Sequence, residues 1–471
     1  MPKQPNVLVV LSDQQRPDSC GVFGQRLDVT PNLDALAADG VAFDNSFTVQ
    51  PLCGPSRAAL QTGLMPTTTG CWRNGRSLPQ DATTLATALG SAGYWTGYLG
   101  KWHLASDGGY LPKPGTGATR FGNRPVPPER RGGYKDLWLA ADSLEATSLP
   151  YRGHLFDGDG NRVELTGFRV DAITDLAIKA LEDQADDERP FFMFVSFLEP
   201  HHQNNRGRTI GPKGWAKRFR DYDVPADLQG TLGDWRWNYS EYLACCASID
   251  ANLGRLTGAL KALGELDDTI VVYSSDHGSH FRTRNAEYKR SPHDASIRVP
   301  LVVRGPGFRS GQRSDAMVSS LDLLPTLVSA AGGEPVPGDG HPLQEFLDGR
   351  ATRTSALVQI SESQVGRALR TERYTYAVTG TGLGRLARYR DSAADAYEEH
   401  VVYDNVDDPA QRHNLAGTAA TAELRLSLIH ISEPTRLLSI SYAVFCLTKN
   451  KQNTRHSETT LTASNNKNVL I

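Results

Sequence analysis

The chain has 471 residues, of which 50 are Lys or Arg and 53 are Asp or Glu, so its formal net charge is −3. This balance argues against proteins that coat nucleic acids or bind membrane surfaces, because these carry a clear basic excess. Six cysteines in so long a chain argue against a disulfide scaffold, and 39% hydrophobic with 22% charged residues is typical of a globular protein.

The chain begins with a short apolar run, residues 6–11, rather than with a targeting segment. A secretory signal needs a longer apolar region and a small-residue cleavage site. No window approaches the roughly 18 consecutive apolar residues of a membrane span. The sequence therefore predicts a cytoplasmic protein with reduced thiols and with no membrane or nucleic-acid partner.

Short apolar runs bounded by polar or turn residues predict buried strands, and stretches with helical spacing lie between them. The predicted strands cover 6–11, 191–198, 269–275 and 300–303. The predicted helices cover 32–38, after a Thr30-Pro31 start, and then 170–181 and 242–263. This alternation predicts an α/β fold with a mostly parallel central sheet and helices on both faces. An α+β arrangement is the alternative.

Two segments, 105–168 and 202–238, are rich in Gly, Pro, Arg and aromatic residues without a clear period, which predicts long loops. Candidates there for shaping a substrate pocket, with core packing or surface scatter as the alternative, are Trp138, Arg206, Trp215, Trp235 and Trp237. After about 350, strand-like runs appear at 356–360, 373–378 and 400–403. We therefore predict a catalytic domain over 1–352 and a small strand-rich α+β subdomain over 353–425.

The residues from 426 to 471 do not resemble the rest of the chain. Residues 426–436 and 440–447 resemble two translated sequencing-library adapters, in one reading frame and three residues apart. A natural polar low-complexity tail is the alternative. We exclude this segment, with Cys446, from the fold prediction. It holds five basic and two acidic residues, so the body retains 45 basic and 51 acidic residues and a net charge of −6.

Polar residues follow three of the predicted strands, and open α/β sheets bind ligands at the carboxyl ends of their strands. Asp13 and Gln14 follow the first strand, His201 the second, and Asp276 with His277 the third. Carboxylate, amide and imidazole groups together can form a mixed oxygen and nitrogen site for a divalent metal ion. Each string alone is also typical of a turn or a helix cap, so the prediction depends on their conjunction.

The string LCGPSRAALQTG, residues 52–63, places the thiol of Cys53 on a turn just before a helix. A helix N-terminus presents free N–H groups and favours anions, so this thiol could be an activated thiolate. A buried structural cysteine is the alternative.

The same string resembles the sulfatase signature, Cys-x-Pro-Ser-Arg followed by Thr-Gly. The resemblance covers most of 6–415 and includes GYWTGYLGKWH at 93–103, Pro200-His201, Asp276-His277-Gly278 and the segment 289–300. The chain thus resembles a type I sulfatase of the alkaline phosphatase superfamily. This implies that a formylglycine-generating enzyme oxidises Cys53 to formylglycine. The hydrated aldehyde then attacks the sulfur of a sulfate ester, and its second hydroxyl allows sulfate to be expelled.

The resemblance also implies a metal site. One divalent ion would be held by Asp13, Gln14, Asp276 and His277, where it binds a sulfate oxygen and lowers the pKa of the diol. The common family pattern has a second Asp at the position of Gln14 and often Asn at that of His277. Ca²⁺ is favoured, and Mn²⁺ and Mg²⁺ are alternatives because imidazole suits softer ions.

Each remaining matched residue has an implied role in the reaction. Arg57 would orient the formylglycine and neutralise charge near it. Lys101 and Lys289 would clamp sulfate oxygens as charge develops in the transition state. His103 would contact the formylglycine hydroxyl, and His201 would bind the sulfate or protonate the leaving alcohol. The neighbouring His202 and His293 are lower-ranked candidates.

The prediction is therefore hydrolysis of a small or saccharide sulfate ester to an alcohol and inorganic sulfate. The pairs Asp13-Gln14 and Asp276-His277 also resemble those of phosphonate monoester hydrolases and choline-sulfatases. A phosphonate monoester or phosphodiester hydrolase that uses the same residues is one alternative. A non-catalytic metal-binding homologue is a second, weaker one.

Overall fold

A computed structural model describes residues 3–108, 119–204 and 206–418, so the predicted adapter-like tail lies outside the described residues. The chain divides into two compact units, of which the first ends at Val358 and the second starts at Gln359. The domain boundary between 352 and 353 stays a prediction.

The first unit is built on one mixed sheet of 11 strands. In chain order these are β1 (Asn6–Asp13), β2 (Val41–Phe47), β3 (Trp95–Lys101), β4 (Leu137–Ala141), β5 (Ser148–Leu149), β6 (Arg152–Phe156), β7 (Arg162–Thr166), β8 (Phe191–Pro200), β9 (Thr269–Ser275), β10 (Leu301–Arg304) and β11 (Gln312–Ser319). Their order in space is β11-β2-β10-β9-β1-β8-β3-β4-β6-β5, with β7 beside β6. The five central strands, β9-β1-β8-β3-β4, are all parallel, so their carboxyl ends share one edge.

Helices connect these strands. They are α1 (Pro31–Ala38), α2 (Cys53–Thr62), α3 (Pro66–Thr69), α4 (Leu85–Ser91), α5 (Leu144–Thr147), α6 (Arg169–Gln184), α7 (Trp235–Ala262), α8 (Asp294–Ile297), α9 (Leu323–Ala330) and α10 (Leu343–Leu347). Within the described ranges, no helix combines the length and the apolar character that crossing a bilayer requires.

The second unit contains a small sheet in the order β12-β13-β14-β15. Its strands are β12 (Ser355–Ile360), which begins before the division, β13 (Gly366–Thr371), β14 (Tyr374–Gly380) and β15 (Tyr397–Asp404). The pairs β13–β14 and β14–β15 are antiparallel. The helix α11 (Arg385–Arg390) lies between β14 and β15 in the chain.

Strand β1 shows why the central runs are apolar throughout. Its side chains alternate between two hydrophobic clusters, because successive residues of a strand point to opposite faces. Val7, Val9 and Leu11 pack with residues of α2, α4 and α9. Leu8 and Val10 pack with residues of α1, α6 and α7 on the other face. Helices thus cover both faces, which confirms the predicted α/β architecture.

The prediction of long loops over 105–168 and 202–238 is wrong in part. The first segment contains β4 to β7 and α5, and the second contains the start of α7. The run Leu137 to Ala141 is only five residues long, and it becomes a strand because β3 supplies its partner. Trp138 is a core residue stacked on Tyr98, whereas Trp237 is 78% exposed.

A buried ion pair joins α6 to the end of β8. Arg169 Nη2 lies 2.5 Å from Glu199 Oε1, and the two side chains are 0% and 1% exposed. Arg169 also donates to Ser148 Oγ at 3.0 Å. Because both charges are removed from water, each depends on the other for compensation.

We expect Arg169→Met to lower the free energy of unfolding by about 3–5 kcal/mol, because it leaves the Glu199 carboxylate buried without its cation. Urea unfolding followed by circular dichroism measures this change. The matched control is Lys179→Met on the same helix, where the exposed pair with Asp183 is worth only about 0.3–0.5 kcal/mol. Equal losses in the two variants would contradict the structural role of the buried pair.

Candidate active site

The predicted site residues meet at the carboxyl edge of the central strands. Asp13 ends β1, Lys101 ends β3, His201 directly follows β8 and Asp276 directly follows β9. Since these strands are parallel neighbours, their last residues lie side by side. The sheet therefore brings together residues that are far apart in the sequence.

Cys53 is the first residue of α2 and is 2% exposed. Two hydrogen bonds fix this end of the helix, one to the residue that follows β9 and one to a loop residue. Ser56 Oγ donates to the Asp276 carbonyl at 2.5 Å, and the Gly54 N–H donates to Asn74 Oδ1 at 2.9 Å. The thiol of Cys53 thus faces the strand ends from the N-terminus of a helix.

Arg57, one turn into α2, bridges the two strand-end carboxylates. Its Nη2 lies 3.1 Å from Asp13 Oδ2, and its Nε lies 3.1 Å from Asp276 Oδ2. Its Nη1 donates to the Lys101 carbonyl at 2.8 Å and to Ser196 Oγ at 2.7 Å. One buried guanidinium therefore links β1, β3, β8 and β9.

Lys101 makes two ion pairs. Its Nζ lies 2.7 Å from Asp13 Oδ2 and 2.8 Å from Glu145 Oε1. Burial opposes ionisation of Glu145, but the charges of Lys101, His201 and His103 together outweigh it and lower the Glu145 pKa to about 2. Glu145 was not identified from the sequence. The only signal would have been a carboxylate just beyond β4, a strand that the sequence analysis did not predict.

Lys289 is the cation nearest the nucleophile position. Its Nζ donates to Cys53 Sγ at 3.0 Å and lies 3.0 Å from Nε2 of both His201 and His277. The segment that carries Lys289 is tied down by its backbone, since the His280 N–H donates to the Tyr288 carbonyl at 2.7 Å. Lys289, which the sequence predicts as a sulfate clamp, therefore lies in direct contact with the motif cysteine.

Four side chains form a group with metal-ligand spacing. Ligand atoms of Asp13, Cys53, Asp276 and His277 all lie within 4.8 Å of one another. His277 Nε2 is 3.5 Å from Oδ1 of each carboxylate and 3.3 Å from Cys53 Sγ. Two carboxylates and one imidazole facing a common point suit a divalent cation.

Gln14 provides independent support for a metal ion at this position. Its side-chain oxygen Oε1 is buried and accepts no hydrogen bond from any residue within 3–108, 119–204 or 206–418. Its backbone has a φ of 73°, a conformation unfavourable for a residue with a side chain, yet Asp276 Oδ1 accepts from its N–H at 3.1 Å. A cation beside Asp13 and Asp276 would satisfy this oxygen, so the residues present fit a bound metal ion.

The electrostatics of the group favour anions at Cys53 and Asp13. Burial opposes ionisation of the Cys53 thiol, but the charges of Lys101, Lys289 and His277 outweigh it and place the thiol pKa well below its usual value. Burial also opposes ionisation of Asp13, and again the cations, led by Lys101, lower the pKa of this carboxyl. For Asp276, burial and the charge of Asp13 raise the pKa.

The predicted histidines occupy different places. His103 contributes to lowering the pKa of the Cys53 thiol and has a backbone φ of 64°. His201 lies against Lys289, and its Nδ1 is 2.7 Å from the His202 carbonyl. His202 stacks on His201 rather than contacting Cys53 directly. His293 lies just before α8, with Nδ1 3.1 Å from Ser291 Oγ.

Comparisons with known proteins agree with this arrangement. The family model described as Sulfatase matches residues 5–333. The chain is 32% identical over 444 residues to the ulvan-active sulfatase of Formosa agariphila, covering 88% of this chain and 78% of that protein.

Two solved structures are also similar. One is described as in complex with its substrate D-glucosamine-2-N,6-O-disulfate; it has a TM-score of 0.71 and 25% identity, covering 93% of this chain and 98% of that one. The other is a phosphonate monoester hydrolase of Agrobacterium radiobacter, with a TM-score of 0.67 and 24% identity over 93% of this chain and 95% of that one.

A bound cation should stabilise the fold. At a free Ca²⁺ concentration of about 100 times its Kd, we expect about 2.7 kcal/mol of stabilisation, read as a rise in melting temperature over the chelator-treated protein. Asp276→Asn should abolish the metal-induced rise, because it removes a charged ligand. The matched control, Asp157→Asn in an exposed turn, should keep it. A rise of the same size in both variants would contradict the assignment of this metal site.

Proposed function

The chain belongs to the sulfatase family, and on this premise we propose that it hydrolyses sulfate esters of saccharides with residue 53, in its formylglycine form, at the centre. The products of such an enzyme are an alcohol and inorganic sulfate. The observation that carries the proposal is the position of Cys53, with Sγ 3.0 Å from Lys289 Nζ and 3.3 Å from His277 Nε2.

The implied groups fit their surroundings. Formylglycine supplies a hydroxyl for attack on sulfur and a route for sulfate release, and a divalent cation supplies positive charge beside the sulfate. We propose Asp13, Gln14, Asp276 and His277 as the ligands of that cation. Ca²⁺ is our first choice because three of the four donors are oxygens, and Mn²⁺ and Mg²⁺ are the alternatives.

The remaining site residues position and stabilise charge in this proposal. Arg57 holds the two ligand carboxylates in place through its contacts of 3.1 Å with each. Lys101 and Lys289 bind sulfate oxygens, where their fixed charges stabilise negative charge that develops in the transition state. Both cations are already oriented by ion pairs or hydrogen bonds, so little reorganisation accompanies the reaction.

The two histidines move protons in this proposal. His201 protonates the departing alcohol, since its Nε2 lies beside Lys289 on the side of Cys53. His103 holds a proton at the hydroxyl of residue 53 and assists sulfate release. Alanine substitution of either residue is expected to lower kcat by about 10²–10⁴-fold, the usual contribution of general acid–base catalysis.

The substrate class rests on the relatives. One relative is ulvan-active, and one similar structure holds a disulfated glucosamine as its substrate. These descriptions support a saccharide sulfate ester for this chain.

A phosphonate monoester or phosphodiester hydrolase is the second candidate. The observation that favours it is the ligand set with Gln14 and His277, which contains two carboxylates only. Fewer carboxylates leave the site more positive, and the number of cations around a tetrahedral oxyanion tunes the choice between sulfate and phosphorus esters.

The proposal also covers how Cys53 is converted to formylglycine and where in the cell the protein is located. Cys53 is 2% exposed, so we propose that the formylglycine-generating enzyme modifies it before this part of the chain is fully folded. The five described cysteines are all free thiols, which supports a reducing, cytoplasmic location.

The test is to express the protein with a formylglycine-generating enzyme, analyse the residue 53 peptide by mass spectrometry and assay parallel substrates. We expect an aldehyde at residue 53, turnover of sulfated saccharides and aryl sulfate, and loss of turnover in Cys53→Ala. Cys71→Ala is the matched control, since its buried thiol has no place in the site.

Two results would contradict the proposal. An intact thiol at residue 53 in a protein with full sulfatase activity would exclude the formylglycine mechanism. A kcat/KM on phosphonate monoester or phosphodiester probes above that on sulfate esters would favour the second candidate.

A further inference from the structure

A column of stacked groups leads away from the reaction centre. The rings of His201 and His202 stack with their centroids 4.5 Å apart, and the ring of His202 stacks on that of Tyr288 at 3.8 Å. The guanidinium carbon of Arg282 lies 4.7 Å from the centre of the Tyr288 ring. His202 and Tyr288 thus connect His201 with Arg282 through successive stacking contacts.

The two ends of this column differ in exposure. Lys289 and His201, at the inner end, are each 5% exposed. The Arg282 side chain, at the outer end, is 47% exposed. The column therefore connects the buried centre with the protein surface, and Arg282 stands where the two meet.

The guanidinium of Arg282 is positioned by the Tyr288 ring, and its N–H groups are available to bind a ligand. Its closest carboxylate is that of Asp234, with Nε 3.7 Å from Oδ2, beyond a normal hydrogen bond. That Oδ2 already accepts from the Tyr288 hydroxyl at 2.5 Å. Within the described part of the chain no acceptor hydrogen-bonds the Arg282 guanidinium, so its planar fork can bind an anion in a bidentate manner.

The backbone fixes the base of this arginine. Phe281 and Arg282 are consecutive non-glycine residues with positive φ, 48° and 62°. Such conformations are costly and persist only when neighbouring contacts hold them. Here the Asp234 N–H donates to the Phe281 carbonyl at 3.0 Å, and the Thr283 N–H donates to the His280 carbonyl at 2.9 Å. The same short segment carries Arg282 and Lys289, so the two cations are held on one frame.

A positively charged stretch follows His202 in the chain. Residues 206–220 contain no Asp or Glu, and six exposed basic side chains are Arg206, Arg208, Lys213, Lys217, Arg218 and Arg220. This contrasts with the net negative charge of the whole chain, −3. Positive charge concentrated near a site attracts polyanions and raises their local concentration.

We propose that Arg282 binds a second anionic group, a sulfate or a carboxylate, on the saccharide whose scissile sulfate lies at residue 53. The substrate is then a polyanionic saccharide, and Arg282 recognises the charge pattern beyond the bond that is cleaved. This inference rests on the proposed function and adds a specificity residue outside the residues that act on the sulfate.

The test compares Arg282→Gln with the wild-type enzyme on four substrates. These are an aryl sulfate, a monosulfated neutral disaccharide, a disulfated disaccharide and a monosulfated disaccharide that contains a uronate. On at least one of the two substrates with a second anion, we expect Arg282→Gln to lower kcat/KM by about 10- to 100-fold, mainly through KM. On the other two substrates it should stay within about twofold. The better of the two dianionic substrates distinguishes sulfate from carboxylate.

Two variants serve as controls. Arg236→Gln removes an exposed charge that lies over the Trp235 ring instead, and it should leave all four values unchanged. Arg282→Lys keeps the positive charge but lacks the planar pair of N–H donors. It should therefore restore only part of the kcat/KM that Arg282→Gln loses on the substrates with a second anion. If Arg236→Gln had the same effect as Arg282→Gln, general surface charge would explain the result and the subsite would be excluded.

Two further outcomes would overturn the inference. An equal loss on all four substrates would mean that Arg282 acts through the stacked histidines on the reaction itself. Wild-type values that show no preference for a second anion would exclude the subsite while leaving sulfatase activity intact. The first two outcomes leave the proposed function intact. A wild-type enzyme that is inactive on every sulfate ester would instead contradict the proposed function itself.

Discussion

The site depends on compensation between buried charges. Three carboxylates, those of Asp13, Asp276 and Glu145, lie at one edge of the parallel strands, where an unpaired charge would cost several kcal/mol. Arg57 and Lys101 supply the pairing, with contacts of 2.7–3.1 Å to these carboxylates. Lys289 is left facing Cys53, with Nζ 3.0 Å from Sγ. Lys289, the cation in contact with Cys53, forms no ion pair with a carboxylate among the described residues.

This arrangement explains why α2 and the sheet must come together as a unit. Cys53 begins the helix, Ser56 binds the Asp276 carbonyl, and Arg57 spans both carboxylates. The contacts of Ser56 and Arg57 join the sulfatase motif to the ends of β1 and β9. The proposed nucleophile, metal site and sulfate-binding lysines are therefore positioned by one network, so we expect a change at Arg57 to disturb all three.

Much of this could be predicted from the sequence, because buried strands read as continuous apolar runs and the polar residues after them share an edge. Strands at 6–11, 191–198 and 269–275 match β1, β8 and β9 closely. Glu145 could not be predicted, because it follows β4. The five residues of β4 show no clear hydrophobic period in the sequence, and they form a strand because they pair with β3. The role proposed for Arg282 could not be predicted either, because it depends on a ring stack between residues from distant segments.

The central claim is that residue 53 and a divalent cation share one buried, charge-balanced centre. The most direct measurement is a crystal structure of the enzyme expressed with a formylglycine-generating enzyme, with anomalous data collected for Mn²⁺ soaked into the crystals. We expect an anomalous peak bound by Asp13, Gln14, Asp276 and His277, beside an oxidised residue 53 that is contacted by Lys289. A thiol at residue 53, with no peak between these four side chains, would contradict the account.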